Sequence, residues 1–259
     1  MRKDYHMHPT VVQNPERFDA FVKRAKEQGI GEICVTDHMP LSVSAASDRI
    51  PQGQVGTYCH RVRELAKRYE GEISIKCGIE IDYHPSVLPE VEAVLAQGSF
   101  DFILASSHMH IFIKDYERYT CDDFAAAALE NSIQAVQSGL FTAVAHPDMY
   151  RFVFANPRRF PLKDREYDVM HHKEAVLELL DAVARSGMYL EINPHLAEAQ
   201  KDLRYLYPQE PIARWALERG IRFCYGSDAH KPESVGAYLQ ELEGHPVYAQ
   251  ALKCWENNE

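Results

Sequence analysis

Metal-binding residue types follow the short apolar, strand-like runs of this 259-residue chain. They occur in the segments 4–8, 34–38, 78–82, 105–108, 144–148 and 225–230, where histidine, aspartate or glutamate stands at or just past the end of the run. Helix-like segments separate the runs. Because the carboxyl ends of barrel strands meet on one face, we expect these side chains to converge there. Converging imidazoles and carboxylates are the ligands expected for zinc, iron or manganese.

The order of the segments predicts a single α/β domain over residues 1–259. Strand-like runs at about 4–8, 32–36, 74–81, 102–106, 142–146, 188–193 and 222–225 alternate with helix-like segments at 15–28, 56–69, 88–96, 122–138, 171–186, 212–219 and 233–241. This pattern predicts a parallel barrel, one unit short of the eightfold form. Two long polar connections, 39–54 and 148–168, follow ligand-bearing strand ends, so we expect both to lie over the site.

The composition favours a cytoplasmic protein without a membrane or nucleic-acid partner. Hydrophobic residues make up 46% of the chain, which is enough for a large core without disulfide bonds. The six cysteines are scattered, as is typical of buried thiols in a reducing compartment. The formal charge of −10 leaves no basic excess to neutralise nucleic-acid phosphates. No apolar signal segment begins the sequence, and no stretch approaches the roughly 18 apolar residues of a membrane span.

The first two motifs supply paired side chains. His6 and His8 lie two residues apart, so both imidazoles face the same way on an extended chain. Asp37 and His38 are adjacent, and their side chains therefore point to opposite sides. We expect His38 to be a ligand, whereas Asp37 is either a ligand or a proton-transfer group.

Single candidates end the next three runs. Glu80 lies inside an apolar run, where a carboxylate is costly unless it is paired or bound to a metal. A salt-bridged glutamate is one explanation, but a carboxylate that bridges two metals explains the position better. His108 and His146 each end a strand and are predicted ligands. His110 is either a ligand or a substrate contact.

The last motif is the most specific. The run 226–230 reads Gly-Ser-Asp-Ala-His, which puts Asp228 and His230 on one side of the chain. A plain turn would explain Gly-Ser-Asp but not the histidine that follows. Glu191 and Asn193 belong to the sixth run and are expected to line the site, with His195 beyond them as a substrate contact.

Together these motifs resemble the polymerase and histidinol phosphatase (PHP) superfamily over residues 6–230, and length and loop placement are most similar to its stand-alone histidinol-phosphate phosphatases. The resemblance implies a distorted (β/α)7 TIM-like barrel with two to three divalent Zn, Mn or Fe ions at the C-terminal face of the strands. It implies that the first metal is held by His6, His8, Glu80 and Asp228, that Glu80 bridges to a second held by His108 and His146, and that the third is held by His38 and His230.

One departure from the family concerns the third metal. Many relatives carry a further histidine shortly after the first motif, whereas residues 9–14 contain none. The third site is therefore completed by a substrate oxygen, by water or by Asp37, or it is weakly occupied.

The resemblance implies hydrolysis of a phosphomonoester, and we expect L-histidinol phosphate to be converted to L-histidinol and phosphate. A hydroxide that bridges two cations would attack phosphorus, because the metals lower the pKa of bound water. Asp37 or His230 would protonate the departing alkoxide. Arg158 and Arg159, in the loop after the fifth run, are the first candidates for phosphate binding, with Arg151 behind them.

The rest of this substrate needs other partners. Its amine requires a carboxylate, for which Asp115 and Glu117 are predicted from the segment after the fourth run. Its ring would pack against an aromatic side chain, and Phe112, Tyr116 and Phe152 are the candidates.

Other functions stay open at this point. A PHP-type phosphotyrosine-protein phosphatase or another small-molecule phosphoesterase would use the same metal motifs. A TatD-like metal-dependent DNase shares part of the pattern, but the acidic charge and the 37–38 and 228–230 pairs argue against it. A non-catalytic barrel that serves as an interaction module would have no reason to keep an almost full ligand set. The sequence leaves the native metals and the oligomeric state undetermined.

Overall fold

Seven parallel strands form one sheet in the computed structural model, which describes residues 1–44, 46–164 and 166–256. The strands are β1 (Arg2–Asp4), β2 (Ile30–Val35), β3 (Ser74–Asp82), β4 (Phe102–Ser106), β5 (Ala143–Val144), β6 (Tyr189–Ile192) and β7 (Phe223–Tyr225). Each strand pairs in parallel with the next along the chain. This order confirms the predicted distorted (β/α)7 TIM-like barrel, while the assignment of residues 1–259 to one domain stays a prediction.

Helices connect the strands. The α-helices are α1 (Phe18–Glu27), α2 (Val55–Arg68), α3 (Leu88–Gln97), α4 (Met109–Phe112), α5 (Cys121–Ser138), α6 (Tyr150–Ala155), α7 (Lys173–Ser186), α8 (His195–Gln200), α9 (Glu210–Glu218), α10 (Leu239–Glu243) and α11 (Tyr248–Glu256). Short 3-10 helices lie at Pro15–Arg17, Pro85–Val87, Tyr116–Arg118, Val169–His172, Leu203–Tyr205 and Pro232–Ser234. Within the described residues, no helix combines the length and the apolarity needed to cross a lipid bilayer.

Helix α5 shows how local sequence sets an element. Thr120 and Asp123 form a capping box, in which each side chain accepts the backbone N–H of the other. Gly139 ends the helix with φ of 70°, in the left-handed region that glycine tolerates best. The helix predicted at 122–138 is confirmed to within one residue.

The barrel closes where the chain after β1 meets the last residue of β7 and the segment after it. Tyr5 N–H donates to Tyr225 O at 2.9 Å, and His8 N–H donates to Ala229 O at 2.8 Å. Strand β1 covers Arg2–Asp4, so the regular strand ends where the predicted strand 4–8 begins. The segment that follows remains extended, because it is bonded to the segment after β7, and it carries the first histidine pair into the carboxyl end of the barrel.

The helix predicted at 233–241 is wrong. The chain instead makes the 3-10 turn Pro232–Ser234 and then the short helix α10. Gly236 and Tyr238 separate the two with φ of 71° and 58°, both in the left-handed region, which interrupts a right-handed helix.

The side chain of Asp4 connects the first strand of the barrel to the segment that follows the last strand. Its fully buried carboxylate accepts N–H groups from Ser227 at 2.8 Å and from Gly236 at 3.1 Å, and a longer one from His6 at 3.4 Å. Burial raises the pKa of Asp4 to about 6, while these N–H groups favour the charged form. Above that pH the carboxylate is ionised and links β1 to the loop that carries Asp228.

Replacing this carboxylate should weaken the fold. In Asp4→Ala the buried N–H groups of Ser227 and Gly236 lose their acceptor, so we expect the free energy of unfolding to fall by about 2–3 kcal/mol. Urea unfolding at pH 8 with a chelator present measures this without a contribution from bound metal. Glu92→Ala, on the exposed face of α3, is the control, and an equal effect of both changes would contradict the role given to Asp4.

Candidate metal centre

Glu80 is the centre of a buried cluster of imidazoles at the carboxyl end of the barrel. It lies on β3, fully buried. Five imidazoles face its two oxygens: Oε2 is 2.7 Å from His38 Nδ1 and 3.3 Å from both His6 Nε2 and His8 Nε2, while Oε1 is 3.0 Å from His146 Nε2 and 3.7 Å from His108 Nε2. Burial opposes ionisation, but the positive potential of His38 and His6 outweighs it and holds the pKa of Glu80 well below its usual range.

Asp228 is the second carboxylate of the cluster. Its Oδ1 lies 3.1 Å from His8 Nε2, 3.5 Å from His230 Nδ1 and 3.7 Å from His6 Nε2. The residue has φ of 55°, a left-handed conformation that is uncommon outside glycine. The 226–230 turn therefore directs this carboxylate towards the first histidine pair.

The donor atoms of this cluster fit divalent cations. His6 Nε2, His8 Nε2, His38 Nδ1 and Glu80 Oε2 are buried and make no well-formed hydrogen bond with the described residues. A buried polar atom without a partner costs about 1–3 kcal/mol, so four that converge on one point need a common partner. A cation is such a partner, and imidazole nitrogen with carboxylate oxygen is a suitable ligand set for Zn, Mn or Fe.

All eight predicted ligands come together in the structure. Among the described residues, five sets of three have donor atoms within 4.8 Å of one another: His6/His8/Asp228, His6/Glu80/His146, His38/Asp82/His108, His8/His38/His230 and His195/Asp228/His230. Two members were not predicted as ligands, Asp82 and His195. His195 Nδ1 lies 3.9 Å from Asp228 Oδ2, next to His230.

A second layer of buried carboxylates orients the imidazoles. Glu191 on β6 contacts His6 Nδ1 at 2.6 Å and accepts the N–H of His146 at 2.7 Å. Asn193 donates to the same carboxylate at 3.1 Å. Contacts of this kind fix the ring orientation of a metal ligand and increase its basicity. Glu191 and Asn193 were expected to line the site, and they do so from behind the ligands.

Arg49 completes a second such chain and was not among the predicted site residues. His108 Nδ1 is 2.5 Å from Asp82 Oδ1, and Arg49 Nη1 is 2.5 Å from Asp82 Oδ2 and donates to Met39 O at 3.0 Å. The buried guanidinium compensates the charge of the buried carboxylate. The one signal in the sequence was Asp82 itself, an acidic residue two positions after Glu80 that requires a cationic partner.

A cavity of about 500 Å³ opens over the cluster. Both long connections contribute to its wall, the first with Asp48 and Arg49 and the second with Phe152 and Arg159, as predicted. His110 also lines it and packs near Phe152, with ring centroids 5.6 Å apart. Burial and the neighbouring His108 lower the pKa of His110 to about 3, so this ring is uncharged at neutral pH.

The predicted substrate-binding residues divide between the cavity and the outer surface. Arg159 and His195 line the cavity. Arg158 is exposed and does not contribute to its wall. Asp115 and Glu117 are exposed outside it, and Asp115 borders a separate surface hollow, 3.7 Å from Arg118. The structure therefore does not support their predicted role in binding the amine, because both carboxylates lie outside the cavity wall, although Lys114 beside them contributes to it.

The aromatic candidates divide in the same way. Phe152 lines the cavity, whereas Phe112 stacks on His84 at 4.5 Å and Tyr116 packs against Phe160 at 5.0 Å, outside the cavity wall. Arg151 was the further candidate for phosphate binding. Its Nη1 instead lies 3.0 Å from Asp148 Oδ2, and the residue is likewise not part of the cavity wall.

Asp37 does not face the cluster. Its Oδ1 accepts the N–H of Thr10 at 2.8 Å, and its Oδ2 accepts the N–H of Val11 at 2.9 Å. Burial raises the pKa of this carboxyl to about 7. Both oxygens thus fix the turn that follows His8. This placement contradicts the predicted roles of Asp37 as a ligand or a proton donor.

The sequence of this chain matches a family profile and the sequences of known proteins. The PHP domain profile matches residues 4–195, and a PHP-associated profile matches residues 209–246. A protein of Deinococcus radiodurans named probable histidinol-phosphatase is 29% identical over 225 residues, covering 83% of this chain and 81% of that protein. Histidinol-phosphatase of Bacillus subtilis is 25% identical, covering 93% of this chain and 98% of that protein.

A solved structure has the same fold. The crystal structure of histidinol phosphate phosphatase from Lactococcus lactis, complexed with zinc, L-histidinol and phosphate, matches with a TM-score of 0.77. The match covers 96% of this chain and 93% of that one at 21% sequence identity, so it shows a shared fold.

The second layer can be tested through metal affinity. In Glu191→Gln an amide nitrogen must face either His6 or the N–H of His146, both of which now meet a carboxylate oxygen. We expect metal affinity to fall by about 10- to 100-fold, measured by zinc competition with a chromogenic chelator. Glu178→Gln, exposed on α7, should leave it unchanged. Equal affinities in the two variants would refute an orienting role.

Proposed function

The chain belongs to the PHP domain family, and from that membership and the buried cluster around Glu80 we propose that it is a metal-dependent histidinol-phosphatase. It would convert L-histidinol phosphate to L-histidinol and phosphate. The observation that carries the proposal is the convergence of unsatisfied imidazole and carboxylate atoms beneath an open cavity. The names of the relatives from Deinococcus radiodurans and Bacillus subtilis favour this substrate.

Two to three divalent cations, of Zn, Mn or Fe, would be held by the cluster. His6, His8, Glu80 and Asp228 would hold the first, and Glu80, His108 and His146 the second. His38 and His230 would hold the third, with His195 adjacent. Divalent cations lower the pKa of a bound water and neutralise charge on phosphate oxygens.

The role of His230 follows from its surroundings. Burial lowers the pKa of this imidazole, so the ring is unprotonated at neutral pH. A neutral ring is suited to hold a cation and lacks the acidic proton of an imidazolium that a departing alkoxide would take. We therefore favour the ligand role of His230 over its predicted role in proton transfer.

Arg159 is the proposed phosphate-binding cation at the cavity wall. Its guanidinium lies 5.0 Å from the Phe160 ring centroid and 5.9 Å from that of Phe152, so aromatic surfaces position it. A planar guanidinium can donate two parallel hydrogen bonds to phosphate oxygens. Its neighbour Arg158 is exposed as well, but it does not line the cavity and would not take part.

We also propose that the protein acts in the cytoplasm on a small molecule. Cys34, Cys59, Cys77 and Cys224 are buried free thiols, which is typical of a reducing compartment. The formal charge of −10 disfavours a polyanionic partner such as DNA.

Phosphate release from L-histidinol phosphate by metal-reconstituted protein tests the proposal. Tyrosine phosphate, a phosphotyrosine peptide and a generic aryl phosphate are the comparison substrates. We expect a preference of about a thousand-fold in kcat/KM, or roughly 4 kcal/mol in the transition state, and loss of all hydrolysis with a chelator. Equal, slow hydrolysis of every substrate would refute the named substrate. No hydrolysis with metals bound would refute a phosphatase.

The two adjacent arginines offer a matched comparison. We expect Arg159→Met to lower kcat/KM by about 30- to 150-fold, because a charge-assisted hydrogen bond contributes about 2–3 kcal/mol. Arg158→Met should change it by less than about two-fold, as is usual for a surface substitution. Steady-state phosphate release measures both, and the opposite ranking would move phosphate binding to Arg158.

A further inference from the structure

The cavity carries opposite charges on different parts of its wall. Lys114 and Arg159 are cationic, and Asp48 and Asp228 are the carboxylates among the described residues that line it. Asp228 faces the histidines of the cluster. Asp48, from the 39–54 connection, is therefore the acidic side chain that remains for a ligand.

Asp48 is open to the cavity, and no described residue forms a close ion pair with it. Its side chain is 41% exposed and forms no hydrogen bond within the described part of the chain. The adjacent Arg49 is directed inwards to Asp82. Asp48 Oδ2 lies 4.0 Å from His230 Nε2, so the free carboxylate stands at the edge of the metal cluster.

The backbone on both sides of Asp48 is held in place. Gln13 Nε2 donates to Arg49 O and, at 3.5 Å, to Ser47 O. Ile50 N–H donates to His38 O at 2.9 Å, which ties the connection to a predicted metal ligand. A carboxylate held in this way loses little freedom when it binds a ligand.

We propose that Asp48 binds a protonated amine of the substrate, which would make it the residue that selects amino-alcohol phosphates. This inference rests on the proposed phosphatase function. In L-histidinol phosphate two carbon atoms separate the ester oxygen from the amine nitrogen. With phosphorus at the cluster, the amine is confined to the edge of the cluster, where Asp48 lies. Ammonium and carboxylate form a short, charge-assisted hydrogen bond.

Paired substrates isolate the amine from the rest of the molecule. One pair is L-histidinol phosphate and its analogue with hydrogen in place of the amine, and the other is 2-aminoethyl phosphate and ethyl phosphate. The measured quantity is the kcat/KM of the amine-bearing member divided by that of its partner. We expect Asp48→Asn to lower this ratio about 30-fold, or about 2 kcal/mol, in both pairs. Asp48→Glu, which keeps the charge, should restore part of it.

Binding gives a readout that does not depend on turnover. By calorimetry with metal-loaded protein, Asp48→Asn should weaken L-histidinol binding and leave inorganic phosphate binding within about two-fold, because phosphate carries no amine. Asp115→Asn is the matched variant, since its carboxylate lies outside the cavity wall. It should leave the substrate ratio unchanged.

The outcomes separate this inference from the proposed function. An amine preference that depends on Asp48, without a preference for the histidinol compound over 2-aminoethyl phosphate, would support Asp48 and refute histidinol phosphate as the substrate. An equal loss on both members of each pair would overturn the role of Asp48 and leave the phosphatase intact. A ratio that falls in Asp115→Asn instead, or no amine preference in the unsubstituted protein, would also overturn it.

Discussion

The buried carboxylate of Glu80 is the constraint on which the rest of the structure depends. An ionised group inside a barrel is unstable alone, and five imidazoles from four other segments of the chain surround it. Without a cation, several buried nitrogen atoms of those imidazoles would have no hydrogen-bond partner or metal to bind. The barrel must therefore bring its strand ends together with enough precision that imidazole, carboxylate and metal compensate one another.

Two further carboxylates provide that precision. Glu191 holds His6 and the backbone of His146, and Asp82 holds His108 while Arg49 balances its charge. Each contact joins elements far apart in sequence, so displacement of one strand is transmitted to several ligands. The same contacts that stabilise the barrel therefore set the orientation of the metal ligands.

Above the cluster, the two long connections line the cavity in which a substrate would be recognised. The first brings the carboxylate of Asp48 to the edge of the cluster, and the second brings the guanidinium of Arg159 and the ring of Phe152. An anionic phosphate and a cationic amine could thus be bound by different parts of one cavity. Selectivity would arise from the loops and chemistry from the strand ends, as is common in barrels.

The sequence by itself determined the barrel, the connections over the site and the eight residues of the cluster, because strand order and position at a strand end are local properties in a parallel fold. Only the tertiary structure distinguished Arg159 from Arg158, Asp48 from Asp115, and the turn-fixing Asp37 from the ligands beside it. Those choices depend on how each loop folds back and which backbone N–H groups it meets. Neither is encoded by spacing along the chain, because loop conformation is set by contacts with distant segments.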